Sequence, residues 1–174
     1  MQEKILVPLD GTAVGEAVLP KLASLVLGTL PGANVEVTLL RVLSQVNFNV
    51  LTDDKRAQLP ISEEDLKAMK AEAQSYLDKV AAEVKTKGFA VKTLISIGNA
   101  AEEIVSAAHA TKADLIAMST HGRTGVVRWA IGSVTDRVMR LEGKIPVLAV
   151  KASGDKDGSS VLPIESLQSL VKHS

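Results

Sequence analysis

The stretch STHGRTGVVRWAIGS, residues 119–133, carries the residue types best suited to holding an anion. Gly122 and Gly125 come early in it, and Gly132-Ser133 opens a predicted helix. Glycine lets a backbone adopt positive φ and approach a ligand closely. The N–H groups of Ser133, Val134 and Thr135 would lie at the helix start, where aligned peptide dipoles favour negative charge. A phosphate is the ligand such a loop serves. Two readings stay open for each part, since glycines also make turns and Ser133 also suits a helix cap. His121 is one of three histidines, well separated in sequence from His109 and His173, so no histidine metal cluster is evident. It reads as a solvated loop imidazole or as a phosphate neighbour. Arg123 and Arg128 flank the same loop and would screen phosphate charge. Trp129, the only tryptophan, suits packing or an interface better than ligand stacking.

A second group is Pro8-Leu9-Asp10-Gly11, at the end of the first apolar run. Asp10 fits an Asx turn ahead of the first helix and equally a ribose or metal contact, and the two roles are compatible. Glu102 and Glu103 open a helix, where acids are expected for dipole reasons alone, and the GNAAEE turn reads as structural. Neither standard nucleotide fingerprint occurs. Gly11 and Gly15 are separated by three residues, so there is no GxGxxG after the first strand, and GxxxxGK[ST] is absent. A Rossmann dehydrogenase and a P-loop NTPase are both disfavoured. There is no GxSxG elbow, no HExxH and no nucleophile–base pair, and nothing positions a water for attack on a phosphate.

The scaffold for these residues reads as α/β. Apolar, β-branched runs at Lys4–Leu9, Val35–Val42, Phe89–Ser96, Asp114–Ser119 and Ile145–Val150 suit strands buried on both faces. Helical patterns alternate with them: after Glu16, over Ser62–Lys87, over about Ala100–Ala110, and from Ser133 to before Gly143. Pro20 is tolerable only in a first turn or at a kink. Such alternation predicts one parallel sheet with helices on both faces. In such sheets ligands sit beyond the carboxyl ends of the strands where the strand order reverses, which directs attention to the first and fourth strands. Leu43–Pro60 reads as a long polar excursion, and residues 152–174 as a flexible linker with a short amphipathic pattern after Pro163.

Composition narrows the class. The chain has 174 residues, 46% hydrophobic and 23% charged, with 20 basic and 20 acidic residues and no cysteine. Zero net charge argues against phosphate-backbone binding to nucleic acid and against a polybasic membrane contact. A disulfide framework and thiol catalysis are excluded. No run approaches the ~18 apolar residues of a membrane span, so a soluble, cytoplasmic protein is expected.

Several of these segments carry a resemblance. KILVPLDGT, LLRV, Gly98-Asn99-Ala100, MSTHGRTGVVRWAIGSVTDRVM and IPVLAVK together resemble the universal stress protein family, up to about Lys151. The ATP-binding branch of that family carries G-x2-G-x9-G-[ST]. Gly122, nine intervening residues and Gly132-Ser133 match its last three elements, while Ser119 stands at the first glycine. The resemblance implies a five-stranded sheet in the order 3-2-1-4-5 and ATP, with or without Mg2+, as ligand. Pro8, Leu9 and Asp10 would border adenine and ribose, Val42 would offer backbone hydrogen bonds to adenine, and Met118 would line the base pocket. Ser119, His121 and Gly122 would run past ribose and phosphates, and Gly132, Ser133 and Val134 would hold the triphosphate. It further implies a stress-response or regulatory protein that dimerises through Ile145–Val150. Two alternatives remain: a nucleotide-independent dimeric interaction protein of the same fold, and a slow ATP hydrolase.

Overall fold

The computed structural model describes residues 2–29, 32–44, 48–52, 55–59, 62–121 and 132–152. The first elements are β1 (Gln2–Pro8), α1 (Ala13–Glu16), α2 (Val18–Thr29), β2 (Asn34–Leu43), β3 (Phe48–Thr52) and β4 (Lys55–Leu59). After them come α3 (Glu63–Lys85), β5 (Ala90–Ile97), α4 (Ala100–Thr111), β6 (Leu115–His121), α5 (Ser133–Leu141) and β7 (Val147–Ala152). One sheet has the strand order β5-β2-β1-β6-β7, with every neighbouring pair parallel. Counted along the chain, its strands run 3-2-1-4-5, as the resemblance implies. Strand ends differ from the sequence reading by one or two residues.

Side chains alternate between the two faces of the sheet, as a period of two requires. Ile5, Val7, Leu9, Val37 and Leu39 join Val18, Leu22 and Val26 of α2 and Leu77, Val80 and Val84 of α3 in one buried cluster. Leu6, Leu40, Ile116 and Met118 point the other way, onto Ile104 and Ala108 of α4 and Val138 of α5. Helices therefore cover both faces.

Local chemistry sets the helix boundaries. Ser62 Oγ accepts the Asp65 amide at 3.0 Å, and Glu63, Glu64 and Asp65 fill the first turn of α3. Pro20 has no N–H to return to the Glu16 carbonyl, and the chain breaks at Ala17 between α1 and α2. Pro20 then falls in the first turn of α2, where that N–H would have no partner.

The excursion 43–60 differs from its reading as an irregular loop. Its described part holds an antiparallel pair, β3 with β4, in register from Phe48↔Leu59 to Thr52↔Lys55. Asn49 and the charged pair Lys55-Arg56 break the β-branched pattern by which a strand is recognised. No helix among the described residues is long and apolar enough to cross a membrane. The linker and short helix expected beyond Ala152 lie outside the described residues.

Candidate functional site

The carboxyl ends of β1, β2 and β6 meet the starts of α4 and α5 around a cavity of about 220 Å3. Its apolar wall comes from Leu9, Leu40, Val42, Ile104 and Met118. Leu40, Ile104 and Met118 also belong to the core under α4, so this wall is rigid, continuous packing.

Asp10 stands at the β1 end of the cavity. Its Oδ1 accepts the Thr12 amide at 3.0 Å and the Thr12 hydroxyl at 2.6 Å. Thr12 Oγ1 in turn accepts the Gly15 amide at 3.0 Å and caps α1. The aspartate is thus one step removed from the cap, in an Asx turn that fixes its carboxylate at the cavity rim. Gly15 permits this, because a Cβ there would overlap Asp10 Oδ1. Gly11, at φ +83°, turns the chain between strand and cap.

Arg41 adds a cation to the same end. Its Nη1 donates to the Leu9 carbonyl at 3.4 Å, and it lines the cavity beside Asp10. Behind it, the Tyr76 hydroxyl of α3 donates to Glu16 Oε1 at 2.9 Å. Burial pushes the Tyr76 phenol well above its ordinary range, and the bond to Glu16 adds to the shift.

The opposite end is built by β6 and α5. Ser119 Oγ is enclosed and has no hydrogen-bond partner among the described residues. Gly132 is the N-cap of α5 and, having no side chain, supplies no cap hydrogen bond. Ser133 is therefore the first helical residue and not the cap, so its reading as a helix cap does not hold. The first intrahelical bond is Asp136 N–H to the Gly132 carbonyl, at 2.9 Å. The amides of Ser133, Val134 and Thr135 precede it, in the positions for which a helix has no internal acceptor.

A second, more open lobe of about 510 Å3 adjoins this one, sharing Ala100, Ser133 and Val134 with it. Ser44, Gly98, Asn99 and Arg137 complete its wall. Asn99 Oδ1 caps α4 by accepting the Ala101 and Glu102 amides at 3.1 and 3.4 Å, so the structural reading of the GNAAEE turn holds.

Of the residues singled out from sequence, Pro8, Leu9, Asp10, Val42 and Met118 line the smaller lobe together with Ser119, Gly132, Ser133 and Val134. His121 closes β6 with its backbone opposite Ala152. Its side chain lies outside the described residues, as do Gly122, Arg123, Arg128 and Trp129. Sequence reasoning named the Thr135 amide but missed Gly15, Arg41 and Ile104 as cavity residues. Only Arg41 carried a signal, as a charge directly after the apolar pair Leu39-Leu40 near the carboxyl end of an interior strand. Among the described residues no group of three His, Asp or Glu side chains is placed to hold a metal ion.

The profile of the universal stress protein family matches residues 1–151. The chain belongs to this family. A curated relative, universal stress protein MJ0577 of Methanocaldococcus jannaschii, is 32% identical over 160 residues, covering 87% of this chain and 96% of the relative. A second from the same organism, MJ0531, is 35% identical over 152 residues, covering 87% and 83%. The solved structure of MJ0577 superposes with a TM-score of 0.64 at 27% identity, over 88% of this chain and 98% of that one. Two more distant structures share the fold at 16% identity: a universal stress protein in complex with cAMP, TM-score 0.55, and an Arabidopsis thaliana family protein with AMP bound, TM-score 0.56. Each covers nearly all of its own chain, 98% and 94%, and 87% and 88% of this one.

Proposed function

We propose that this universal stress protein binds an adenine nucleotide, ATP with or without Mg2+, and that occupancy of the site regulates its association with partners in the cytoplasm. The observation that carries the reading is convergence. Residues from β1, β2, β6 and the start of α5, far apart in sequence, line one cavity with an apolar wall at one side and helix amides that have no intrahelical acceptor at the other. The apolar wall suits a purine, the Asp10 carboxylate a ribose hydroxyl, and the amides of Ser133 to Thr135 a phosphate. Ser119 Oγ, enclosed without a partner among the described residues, is a hydrogen-bonding group that a ribose or phosphate oxygen would satisfy. AMP and cAMP in two fold relatives support the same ligand class. Residues 1–151 would form the binding unit, residues 152–174 a linker and short helix, and the assembly a homodimer through the last strand, without nucleic acid or membrane.

Calorimetric titration of ATP into wild type and variants tests this, with circular dichroism as the fold check. Gly122→Val is expected to abolish binding. Ser133→Ala removes one charge-assisted hydrogen bond, about ten- to a hundredfold in affinity. Ser119→Gly is expected to keep or tighten binding. Equal ATP affinity in wild type and folded Gly122→Val overturns the reading. The favoured alternative would then be the nucleotide-independent interaction protein, in which the Ser119 side chain takes space that the ATP-binding branch leaves open with glycine.

A further inference from the structure

We propose that Arg137 sets how strongly the cleft prefers a polyphosphate chain over a single phosphate, and that Glu102 restrains it until such a chain arrives. The inference rests on the nucleotide reading above and names the part of the ligand that the second lobe serves. That lobe, about 510 Å3 against about 220 Å3 for its neighbour, is too large to be a mere margin of the inner pocket. Arg137 is the one arginine on its described wall. Residues four apart on a helix share a face, so Arg137 stands one turn beyond Ser133 along α5. A chain held at Ser133 and continuing into the larger lobe runs toward the guanidinium.

The state of Arg137 fits exchange. Its Nη2 meets Glu102 Oε1 at 2.8 Å, bridging α5 to the start of α4. The two side chains are 54% and 59% exposed, and an exposed pair of this kind adds little to stability. A phosphate presents several acceptor oxygens and more charge to the planar fork than the single carboxylate contact does, so it displaces Glu102. Of the other nearby carboxylates, Asp136 already accepts from Arg140 at 2.9 and 3.2 Å, and Glu103 lies against Gly98 of the lobe wall. Across the lobe the Asn99 side chain occupies the first amides of α4, which leaves Arg137 as the cation on the lobe's described wall. Exchange also releases Glu102 at the protein surface, so phosphate-chain occupancy changes the contact between α4 and α5.

The test titrates ATP, ADP, AMP and tripolyphosphate into wild type, Arg137→Gln, Arg137→Lys, Glu102→Gln and the Arg137→Gln/Glu102→Gln double variant at fixed ionic strength. Arg137→Gln is expected to weaken ATP about tenfold or more while AMP changes less than about twofold, so the ATP-to-AMP preference collapses. Arg137→Lys should restore part of that preference. Glu102→Gln should tighten ATP and tripolyphosphate several-fold, and this gain must vanish in the double variant. A gain that persists there is general charge repulsion, and it overturns the restraint by Glu102. If wild type binds adenine nucleotides and Arg137→Gln keeps the ATP-to-AMP ratio, the proposal fails and the nucleotide reading stands. If wild type binds no adenine nucleotide, that reading fails, and tripolyphosphate decides: binding that depends on Arg137 upholds the subsite, and no such binding overturns it.

Discussion

Tyr76 is the only tyrosine of the chain, which makes its ionisation readable by ultraviolet absorbance without competition from other phenols. Burial and the bond to Glu16 both favour its protonated form. A group whose pKa is raised by folding contributes stability that is complete below its unfolded value and lost as pH rises through the folded one. The phenol should therefore stay protonated in the native protein well above the free-tyrosine value of about 10, and stability should decline over that alkaline range. Tyr76→Phe should flatten the decline and cost roughly 0.5–1.5 kcal/mol at neutral pH, measured by urea denaturation. A phenol that titrates at the free value in the folded protein would contradict the buried bond. The residues that sequence alone identified share a trait with one another. Asp10 and Ser133 are marked by purely local grammar, the end of an apolar run and the start of a helix after glycine. Arg41 and Arg137 lack such marks. One is a charge near the end of a strand and the other an ordinary helix-surface cation, and only the meeting of β2 and α5 at one cleft relates them to the ligand proposed above.

At the level of elements, the turn joining α5 to β7 hangs on one carboxylate. Glu142 is the C-cap of α5 and is almost fully buried. Its Oε1 accepts the Lys144 and Ile145 amides at 2.9 and 3.0 Å, and its Oε2 lies 2.9 Å from His109 Nε2 at the end of α4. Burial pushes the carboxyl up, but the two amides and His109 outweigh it and hold it below the ordinary carboxylate range. A carboxylate lowered by folding contributes stability present above its unfolded pKa and lost as pH falls through its folded one. Glu142→Ala, which strands two amides, should cost roughly 1–3 kcal/mol. Glu142→Gln keeps an acceptor and loses the charge, so it should cost less and flatten the acid limb of a melting-temperature profile. An unchanged acid limb in Glu142→Gln would remove the carboxylate from that account. The same scale shows what the pattern of the chain concealed. The α3 boundaries and the break before Pro20 follow from caps and a missing N–H, both visible in single residues. The β3–β4 pair does not, because Phe48, Val50, Ala57 and Leu59 alternate with Asn49 and Gln58 only over two short runs that also hold Lys55 and Arg56, and the pairing is visible only in the register.

At the scale of the whole molecule, the five-stranded sheet has two edges, and they differ in chemistry. β5 reads AVKTLISI, and its Lys92 meets Glu36 of β2 at 3.0 Å, a charge of the kind that discourages edge pairing. β7 begins Val147-Leu148-Ala149-Val150 and meets no charge until Lys151. The alternation of apolar runs and helices made the parallel sheet legible, and the family resemblance implied its strand order, but which backbone groups of β7 face outward depends on register. The Ile116 amide donates to the Pro146 carbonyl at 3.0 Å, and Ile116 stands opposite Val147. In a parallel ladder this turns the polar backbone groups of Pro146 and Leu148 toward β6 and those of Val147 and Ala149 outward. The proposed homodimer through this strand would use those outward groups in an isologous antiparallel pairing. Ala149→Pro removes an outward N–H and spares the ladder to β6, as proline at an edge strand permits. Sedimentation at micromolar concentration is expected to show a dimer for wild type and a shift toward monomer for Ala149→Pro, with unchanged circular dichroism. Leu148→Pro, which removes an inward N–H, should instead lose structure. A wild-type monomer would refute the pairing, and a folded Ala149→Pro that stays fully dimeric would move the interface away from the β7 edge.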